Sequence, residues 1–427
     1  MSRKISQKPL AREVVEITKL VHGGQGLAEL ADGRKVFVWN ALPGETVRAQ
    51  VIKQKSSYAE AIAEEVLVAA KDRVAAREDN YLSTSPWQIL KFAAENEYKK
   101  SIVSELFQHE KVNLPKIGAV IHDNREWNYR NKMEYSFWGD DDGLHLALHQ
   151  RGSHGKQIVA GSALAMPSID AGANAIVTQL SAMSARAGDL KTIMVRSDAR
   201  GNTIAALFVK LESFKKLELP AELKGLRVYH SNPKSPASVP TKLLYELGET
   251  ALHDEVNGKR LAYDPVGFFQ ANLPVFELAV QRINAATQTA IKIVDFYSGV
   301  GSIGLGLDNT KTLVETDGLA VDMARINVGD RPVKVVHATA ETALEYIEGE
   351  TTLIVDPPRA GLHQRVIGRI IEALPPQVVY LSCNPATQAR DLKLLEEHYT
   401  VDQFEVFNFF PKTPHIETLA VLSRKTA

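Results

Sequence analysis

The pattern of apolar and polar positions changes twice along the chain. Residues 12–68 read as short alternating strands separated by the turn sequences GGQG, DGR and LPGE, which is typical of a small all-β barrel. From about 125 to 265, alternating segments punctuated by Gly and Asp predict an antiparallel sheet with one helix near 171–186. From 275 onward, each apolar strand precedes a helical pattern, and this repeat predicts a parallel α/β sheet.

These changes predict an α/β protein with three domains. We place a β-barrel at residues 1–68, a central β-rich domain at 69–265 and a Rossmann-like α/β domain at 266–427. A helical period near 93–112 puts Tyr98, Ile102, Val103 and Leu106 on one face. This helix is a candidate for packing on the C-terminal domain.

Composition narrows the class of protein. The 427 residues are 44% hydrophobic with 27 Gly and 19 Pro, so fibrous and disordered classes are excluded. No apolar stretch reaches the ~18 residues of a membrane span, and no leader pattern begins the chain. Cys383 is the one cysteine, which excludes an intramolecular disulfide and a multi-thiolate metal site. We expect a cytoplasmic protein without a bound metal.

Two features of the N-terminal region concern possible partners. Residues 1–60 contain ten basic and six acidic residues, an asymmetry that fits either an anionic partner or an ordinary solvated surface. Phe37, Trp39 and Tyr58 could fill the barrel or form a stacking surface for nucleic-acid bases. The residues alone leave both questions open.

A glycine loop marks the candidate site in the C-terminal domain. In DFYSGVGSIGLGL the predicted strand ends at Asp295, and Gly299, Gly301 and Gly304 follow at the start of a predicted helix. Glycines in this pattern suit NAD as well as S-adenosylmethionine. The spacing from the acid to the first glycine is closer to that of S-adenosylmethionine methyltransferases. Glu315 closes the next strand, where a carboxylate can accept both ribose hydroxyls.

Two further strand ends carry candidate chemistry. IVDPPRAG places Asp356 at the end of one predicted strand, and VVYLSC places Cys383 at the end of the next. Open α/β sheets bind ligands at the carboxyl ends of their strands. A thiol at this position is suited to covalent catalysis. Arg359 stands where amino-group methyltransferases have an aromatic residue, which argues against that chemistry.

These motifs together resemble the RNA 5-methyluridine methyltransferases, which use S-adenosylmethionine to methylate carbon 5 of uracil in tRNA or 23S rRNA. The resemblance covers nearly the full length. Three segments resemble a TRAM domain: HGGQGLAE, KVFVWNALPGETV and AEAIAEEVL. Six further segments resemble the rest of the family: YRNKMEYSF, GFFQANLPV, DFYSGVGSIGL, VDPPRAGL, YLSCNPATQARDL and FPKTPHIETLAVLSR. The resemblance implies a class I methyltransferase domain behind an OB-like, RNA-binding TRAM barrel and a central β-rich domain.

The resemblance also assigns residues and partners. It implies S-adenosylmethionine contacts by Gln270, Tyr297, Gly299, Gly301, Glu315 and Asp356, a nucleophile at Cys383 and a general base at Glu417. The thiolate would add to uracil carbon 6 and make carbon 5 nucleophilic, and the carboxylate would then remove the carbon 5 proton. We expect an RNA partner, no membrane partner and a monomer.

The sequence departs from this family at two places. Many members bind an iron–sulfur cluster through four cysteines, whereas Leu82 and Ser85 stand near the expected ligand positions, so we expect no cluster. Thr339 replaces an acid expected to contact adenine. Two other functions stay open: an RNA-binding or RNA-chaperone protein with an inactive methyltransferase core, and a nicotinamide dehydrogenase suggested by the glycine pattern alone. The choice of RNA and uridine is not readable from the sequence.

Overall fold

The computed structural model describes residues 11–152 and 155–426. Arg3, Lys4 and Lys8, which contribute to the basic N-terminal region, lie outside the described residues. The chain divides into two compact units: residues 11–102, 149–152, 155 and 410–415 form the first, and the remaining described residues form the second. Each unit is described by itself. The predicted three-domain boundaries stay a prediction.

The first unit contains a six-stranded sheet in the order β1-β5-β6-β4-β3-β2. Its strands are β1 (Arg12–Glu16), β2 (Lys19–Leu20), β3 (Gly26–Glu29), β4 (Lys35–Trp39), β5 (Thr46–Gln54) and β6 (Tyr58–Val68). β1 also approaches β3, so the sheet curls toward a barrel. Alternate residues such as Val36, Val38 and Ala61 fill its core, because successive side chains of a strand point to opposite faces.

The predicted aromatic residues of this sheet lie on the face opposite that core. In β4, Phe37 and Trp39 alternate with the buried Val36 and Val38 and are half-buried. The rings of Phe37 and Tyr58 meet edge to face at 5.7 Å. The guanidinium of Arg151 covers the Trp39 ring at 3.9 Å from its centroid. The three aromatics therefore do not fill the barrel.

Two helices follow the six-stranded sheet: α1 (Tyr81–Thr84) and α2 (Phe92–His109). The second corresponds to the helix predicted near 93–112. Its C-terminal half belongs to the second unit, where the Phe107 ring packs edge to face on Phe404 at 4.8 Å. No helix within residues 11–152 and 155–426 is long and apolar enough to cross a membrane.

The second unit contains a central seven-stranded sheet in the order β13-β12-β11-β10-β7-β8-β9. The elements of this region are β7 (Lys132–Asp140), β8 (Gly143–His149), β9 (Lys156–Ile158), α3 (Pro167–Ala182), β10 (Leu190–Ser197), β11 (Thr203–Val209), β12 (Gly225–His230) and β13 (Lys242–Gly248). A separate hairpin follows, formed by β14 (Leu252–Val256) and β15 (Lys259–Tyr263). β11 and β12 run parallel, against the prediction of an antiparallel sheet. The long connection 210–224 permits this crossover.

The other large sheet of this unit has the order β18-β17-β16-β19-β20-β22-β21. Its elements are α4 (Leu273–Ala286), β16 (Ile293–Phe296), β17 (Thr310–Glu315), α5 (Gly318–Val328), β18 (Lys334–His337), β19 (Thr352–Val355), α6 (Gln364–Ala373), β20 (Gln377–Ser382), α7 (Pro385–Leu395), β21 (Tyr399–Phe407) and β22 (Glu417–Arg424). The strands β16 to β20 pair in parallel, as predicted. β22 pairs antiparallel with β20 and β21.

Candidate active site

The carboxyl ends of the parallel strands collect the acidic and thiol groups predicted for the site. Gly299 follows β16, Glu315 ends β17, Asp356 follows β19 and Cys383 follows β20. Because these strands pair in parallel in the order β17-β16-β19-β20, their carboxyl ends lie at one edge of the sheet. The structure thus brings together residues that are up to 84 positions apart in the chain.

The glycine loop after β16 does not open the predicted α-helix. Gly299 and Gly301 have φ values of +55° and +87°, a region that glycine adopts without strain. The Gly304 amide donates to Asp295 Oδ2 at 2.9 Å, and the Thr310 hydroxyl donates to the Gly304 carbonyl at 2.6 Å. These bonds return the chain to β17 after a single 3₁₀ turn over Gly304–Gly306. The helix prediction was therefore wrong.

Glu315 closes the glycine loop against the next strand. Its Oε2 accepts from the Gly299 amide at 2.8 Å, and its Oε1 accepts from the amides of Thr316 and Asp317 at 2.7 and 2.8 Å. A carboxylate held by three backbone amides has a fixed direction, and its remaining lone pairs can accept hydroxyl groups. An added Cβ at Gly299 would meet no atom within 4 Å, so there is room for a ligand beside it.

Burial of two other carboxyl groups at this edge makes their charged forms costly. Burial raises the pKa of Asp295 to about 8, with Asp356 and Glu315 adding repulsion. Burial and the charge of Glu315 likewise raise the pKa of Asp356 to about 7. Asp295 Oδ1 has no hydrogen-bond partner among the described residues. This edge favours a ligand that brings positive charge and hydrogen-bond donors.

Glu417 lies opposite Cys383 on the neighbouring strand. Ser382 pairs with Thr418 in the antiparallel β20–β22 register, so the next residue of β20 and the preceding residue of β22 face each other. Glu417 is only 5% exposed, and Cys383 is half-buried. Sequence reasoning predicted both residues, but it could not predict this register.

The electrostatic surroundings of Cys383 keep its thiol protonated. Burial, the carboxyl group of Glu417 and that of Asp356 raise the pKa of Cys383 to about 12, while the charge of Arg359 acts in the opposite direction. These effects also show that Cys383 is electrostatically coupled to both acidic groups. A thiolate at this position needs additional stabilisation when substrate binds.

Tyr297 and Thr339 follow strands of this sheet, whereas Gln270 lies in the segment before α4. Tyr297 adopts φ +62°, a strained value for a non-glycine residue that is common at functional sites. Burial raises its pKa to about 12. Gln270 is buried and precedes α4, and its carbonyl accepts from Asn131 Nδ2 at 2.9 Å. Thr339 is half-buried, and its hydroxyl contacts that of Thr342 at 3.1 Å.

Sequence reasoning singled out neither Phe268 nor Asp391. Phe268 is 63% exposed beside Gln270, whereas Phe269 stacks on Tyr263 with ring centroids 4.1 Å apart. The GFFQ sequence signalled the segment without distinguishing the two rings. Asp391, which lies within ARDL, is fully buried and bonds to the loop after Asp356.

A hydrogen-bond network occupies the segment that the family resemblance associates with cluster ligands. Ser85 is fully buried, and its hydroxyl accepts from Gln88 Nε2 at 2.7 Å. The same amide nitrogen donates to Glu78 Oε2 at 2.7 Å, and Gln88 Oε1 accepts from the Arg77 amide at 2.9 Å. Leu82 is half-buried. This polar network connects the two ends of the segment 77–88.

Comparisons with known proteins agree with the predicted family. Residues 340–425 match the family model of tRNA (uracil-5-)-methyltransferases, and residues 12–63 match the TRAM domain. An RNA methyltransferase of Lactobacillus johnsonii is 29% identical over 96% of this chain and 98% of its own length. One of Thermotoga maritima is 27% identical, with the same coverage. Both relatives are uncharacterised.

A solved structure has the same fold over nearly the full length. The tRNA (uracil-54, C5)-methyltransferase of Pyrococcus abyssi, in complex with S-adenosyl-L-homocysteine, superposes with a TM-score of 0.76 and 22% sequence identity. The match covers 96% of this chain and 100% of that one. The predicted fold class, an α/β methyltransferase domain with β-rich appendages, is confirmed.

Fold, site and comparisons define the class of protein as an S-adenosylmethionine-dependent RNA methyltransferase. Within that class, residues 340–425 match the model of the tRNA (uracil-5-)-methyltransferase family and residues 12–63 match that of the TRAM domain. The family predicted from the sequence motifs is thereby confirmed.

Proposed function

We propose that this enzyme methylates carbon 5 of a uridine in tRNA or 23S rRNA through a covalent adduct between Cys383 and carbon 6. The observation that carries the proposal is the position of Cys383 directly after β20 and of Glu417 at the start of β22, each one residue beyond the Ser382–Thr418 pair, with the charges of Glu417 and Asp356 both acting on the thiol. A nucleophile and a carboxylate on adjacent strands can act on neighbouring atoms of one pyrimidine ring.

The residues at the other end of the edge fit the cofactor. Glu315 offers lone pairs for ribose hydroxyls, Asp295 and Asp356 favour a positively charged ligand, and the glycine loop leaves room beside Gly299. S-adenosylmethionine, when bound, supplies an electrophilic methyl group on a cationic sulfur. Gln270 and Tyr297 would complete its contacts, as the family resemblance implies.

The chemical steps follow from the two catalytic groups. The Cys383 thiol gives its proton to solvent water, and the sulfur forms a bond to carbon 6 while the electron pair of the ring double bond moves to carbon 5 and the carbonyl oxygen. Carbon 5 takes the methyl group, and the cofactor leaves as its demethylated product. Glu417 then removes the carbon 5 proton, the double bond reforms and the carbon–sulfur bond breaks.

Covalent trapping tests this proposal. RNA containing 5-fluorouridine should accumulate a denaturant-resistant complex with the wild-type protein, because fluorine cannot leave as a proton. Cys383→Ala should form no complex while it retains its affinity for S-adenosylhomocysteine in calorimetry. Comparing tRNA with 23S rRNA from cells that lack the protein identifies the substrate. Absence of a complex with either RNA would favour an RNA-binding protein with an inactive core, and affinity for NADH alone would favour a dehydrogenase.

A further inference from the structure

The loop that follows Asp356 is fastened to the helix that follows Cys383. Hydrogen bonds link peptide groups of the loop to side chains at the start and in the middle of α7: Asn384 Nδ2 to the Arg359 carbonyl at 2.8 Å, Arg390 Nη2 to the Ala360 carbonyl at 3.0 Å and the Leu362 amide to Asp391 Oδ2 at 2.8 Å. The loop and the helix therefore form one hydrogen-bonded assembly.

Asp391 is the centre of this assembly. The residue is fully buried, and its Oδ2 accepts from both the Leu362 amide and the Tyr380 hydroxyl, each at 2.8 Å. Its Oδ1 accepts from Arg390 Nε at 2.9 Å and Nη2 at 2.6 Å. Because Tyr380 lies on β20, three residues before Cys383, one carboxylate links the loop, the helix and the strand of the nucleophile.

Gly361 allows the loop to approach this carboxylate closely. Its φ is +78°, and a Cβ added there would lie 2.6 Å from Asp391 Oδ2 and 2.7 Å from Arg390 Nη2. An alanine at this position would strain the backbone and displace both partners. The loop thus offers a second way to disturb the same contact without removing a polar group.

The loop presents two groups to the proposed chemistry. Asp356 and Arg359 both act electrostatically on the Cys383 thiol, with opposite effects on its ionisation. Asp356 also lies at the carboxyl edge of the parallel strands, where we place the cofactor. A shift of about 1 Å in such a constellation can reduce a rate by about 100-fold. The distance between the loop and the helix therefore affects the surroundings of both the nucleophile and the proposed cofactor site.

We propose that Asp391 is a positioning residue that holds the Asp356–Arg359 loop against Cys383 and thereby sets the rate of covalent adduct formation. The inference rests on the proposed function. Asp391 itself touches neither substrate nor cofactor. Its carboxylate acts through the Leu362 amide and Arg390.

Three variants and one control test this role. Asp391→Asn removes the charge that binds Arg390, Gly361→Ala forces the loop away, and Arg390→Gln removes a partner whose side chain is 48% exposed. Asp322→Asn, which breaks an exposed pair with Arg325 on α5, is the control. The readouts are the rate of adduct formation with 5-fluorouridine RNA, the affinity for S-adenosylhomocysteine and the pH profile of Cys383 alkylation.

We expect Asp391→Asn and Gly361→Ala to slow adduct formation by about 10- to 100-fold, Arg390→Gln less, and the control not at all. The Asp391→Asn and Gly361→Ala effects should not add in the double variant, because both disturb one contact. Alkylation should move to lower pH as the loop leaves the thiol, because Asp356 raises the pKa of Cys383 more than Arg359 lowers it.

The outcomes separate this inference from the proposed function. Folded variants with the wild-type adduct rate and alkylation profile would overturn the positioning role alone. A wild-type protein that forms no adduct would instead overturn the proposed function. If Asp391→Asn does not fold, the rate of the Arg390→Gln variant decides, and a wild-type rate there overturns the role.

Discussion

At the scale of single residues, the Cys383 thiol shows how far the ligand-free site is from its reactive form. Glu417 and Asp356 both disfavour the thiolate, and Arg359 favours it. The carboxylate that the proposed mechanism needs as a base thus opposes ionisation of the nucleophile. The balance must change when RNA and cofactor bring hydrogen-bond donors to the acids.

The opposing effects of these charges on the Cys383 thiolate predict how the free protein reacts with an alkylating reagent. Because the pKa of Cys383 is raised to about 12, its reaction with iodoacetamide should accelerate about tenfold per pH unit between about pH 8 and 10. Glu417→Gln should accelerate alkylation at a given pH, and Arg359→Gln should slow it. Mass spectrometry can follow the reaction directly, since Cys383 is the one cysteine of the chain. Equal rates in Glu417→Gln and the control Glu405→Gln would contradict the assignment.

A second residue-scale prediction separates nucleophile from base. If Glu417 acts only after methyl transfer, Glu417→Gln should still form the carbon 6 adduct and accept the methyl group, and release should then stall. With labelled S-adenosylmethionine and an unmodified loop RNA, we expect a protein–RNA adduct that carries the label. Turnover should fall by about 100-fold or more. Wild-type turnover without an adduct would exclude Glu417 as the base.

At the scale of elements, periodicity predicted the strands but not the order of the last two. The row of Gly299, Glu315, Asp356 and Cys383 followed from strand ends in the sequence, because parallel strands share an edge. The position of Glu417 next to the end of β20, where Cys383 follows, depends on β22 inserting between β20 and β21, and no local pattern encodes it. At the glycine loop, by contrast, the local pattern predicted a helix that does not form, because two tertiary hydrogen bonds direct the chain elsewhere.

The segment 410–415 gives an element-scale prediction for the first unit. The ion pair between Glu95 and Lys99 is fully buried there, and the Glu95 carboxylate accepts from the Lys412 amide at 3.0 and 3.1 Å. Lys99 Nζ donates to the Phe410 carbonyl at 3.1 Å. Lys412 is buried with φ +63°, so these bonds hold a strained conformation.

Breaking this buried pair should therefore be costly. We expect Glu95→Gln to lower the free energy of unfolding by about 3 kcal/mol, because it leaves the Lys99 ammonium buried without its counter-charge. Glu64→Gln breaks an exposed pair with Arg12 at 2.7 Å and should cost far less, because solvent screens such a pair. Urea unfolding measures both values. Similar losses in the two variants would refute a special role for the buried pair.

At the scale of the whole molecule, the candidate cofactor site and the TRAM domain fall in different parts of the chain. The strand edge with its acids and thiol lies in the second unit, and the TRAM domain lies in the first. The sequence predicted three domains from its changes in periodicity, and their boundaries stay a prediction. It left open whether the aromatics of the TRAM domain are core or surface, since alternation alone does not show which face is covered.

The aromatic face of the TRAM domain supplies the whole-molecule prediction. Phe37 and Tyr58 contact each other on the face opposite the barrel core, where they can stack on bases. Phe37→Ala and Tyr58→Ala should each weaken RNA binding by about 1 to 3 kcal/mol, while the affinity for S-adenosylhomocysteine stays unchanged because its proposed site lies in the other unit. Trp138→Ala, at an aromatic that is 44% exposed on β7, serves as the matched control. Filter binding to the methylated RNA and calorimetry with the cofactor product measure the two affinities. Loss of thermal stability with unchanged RNA affinity would instead show that the pair only supports the barrel.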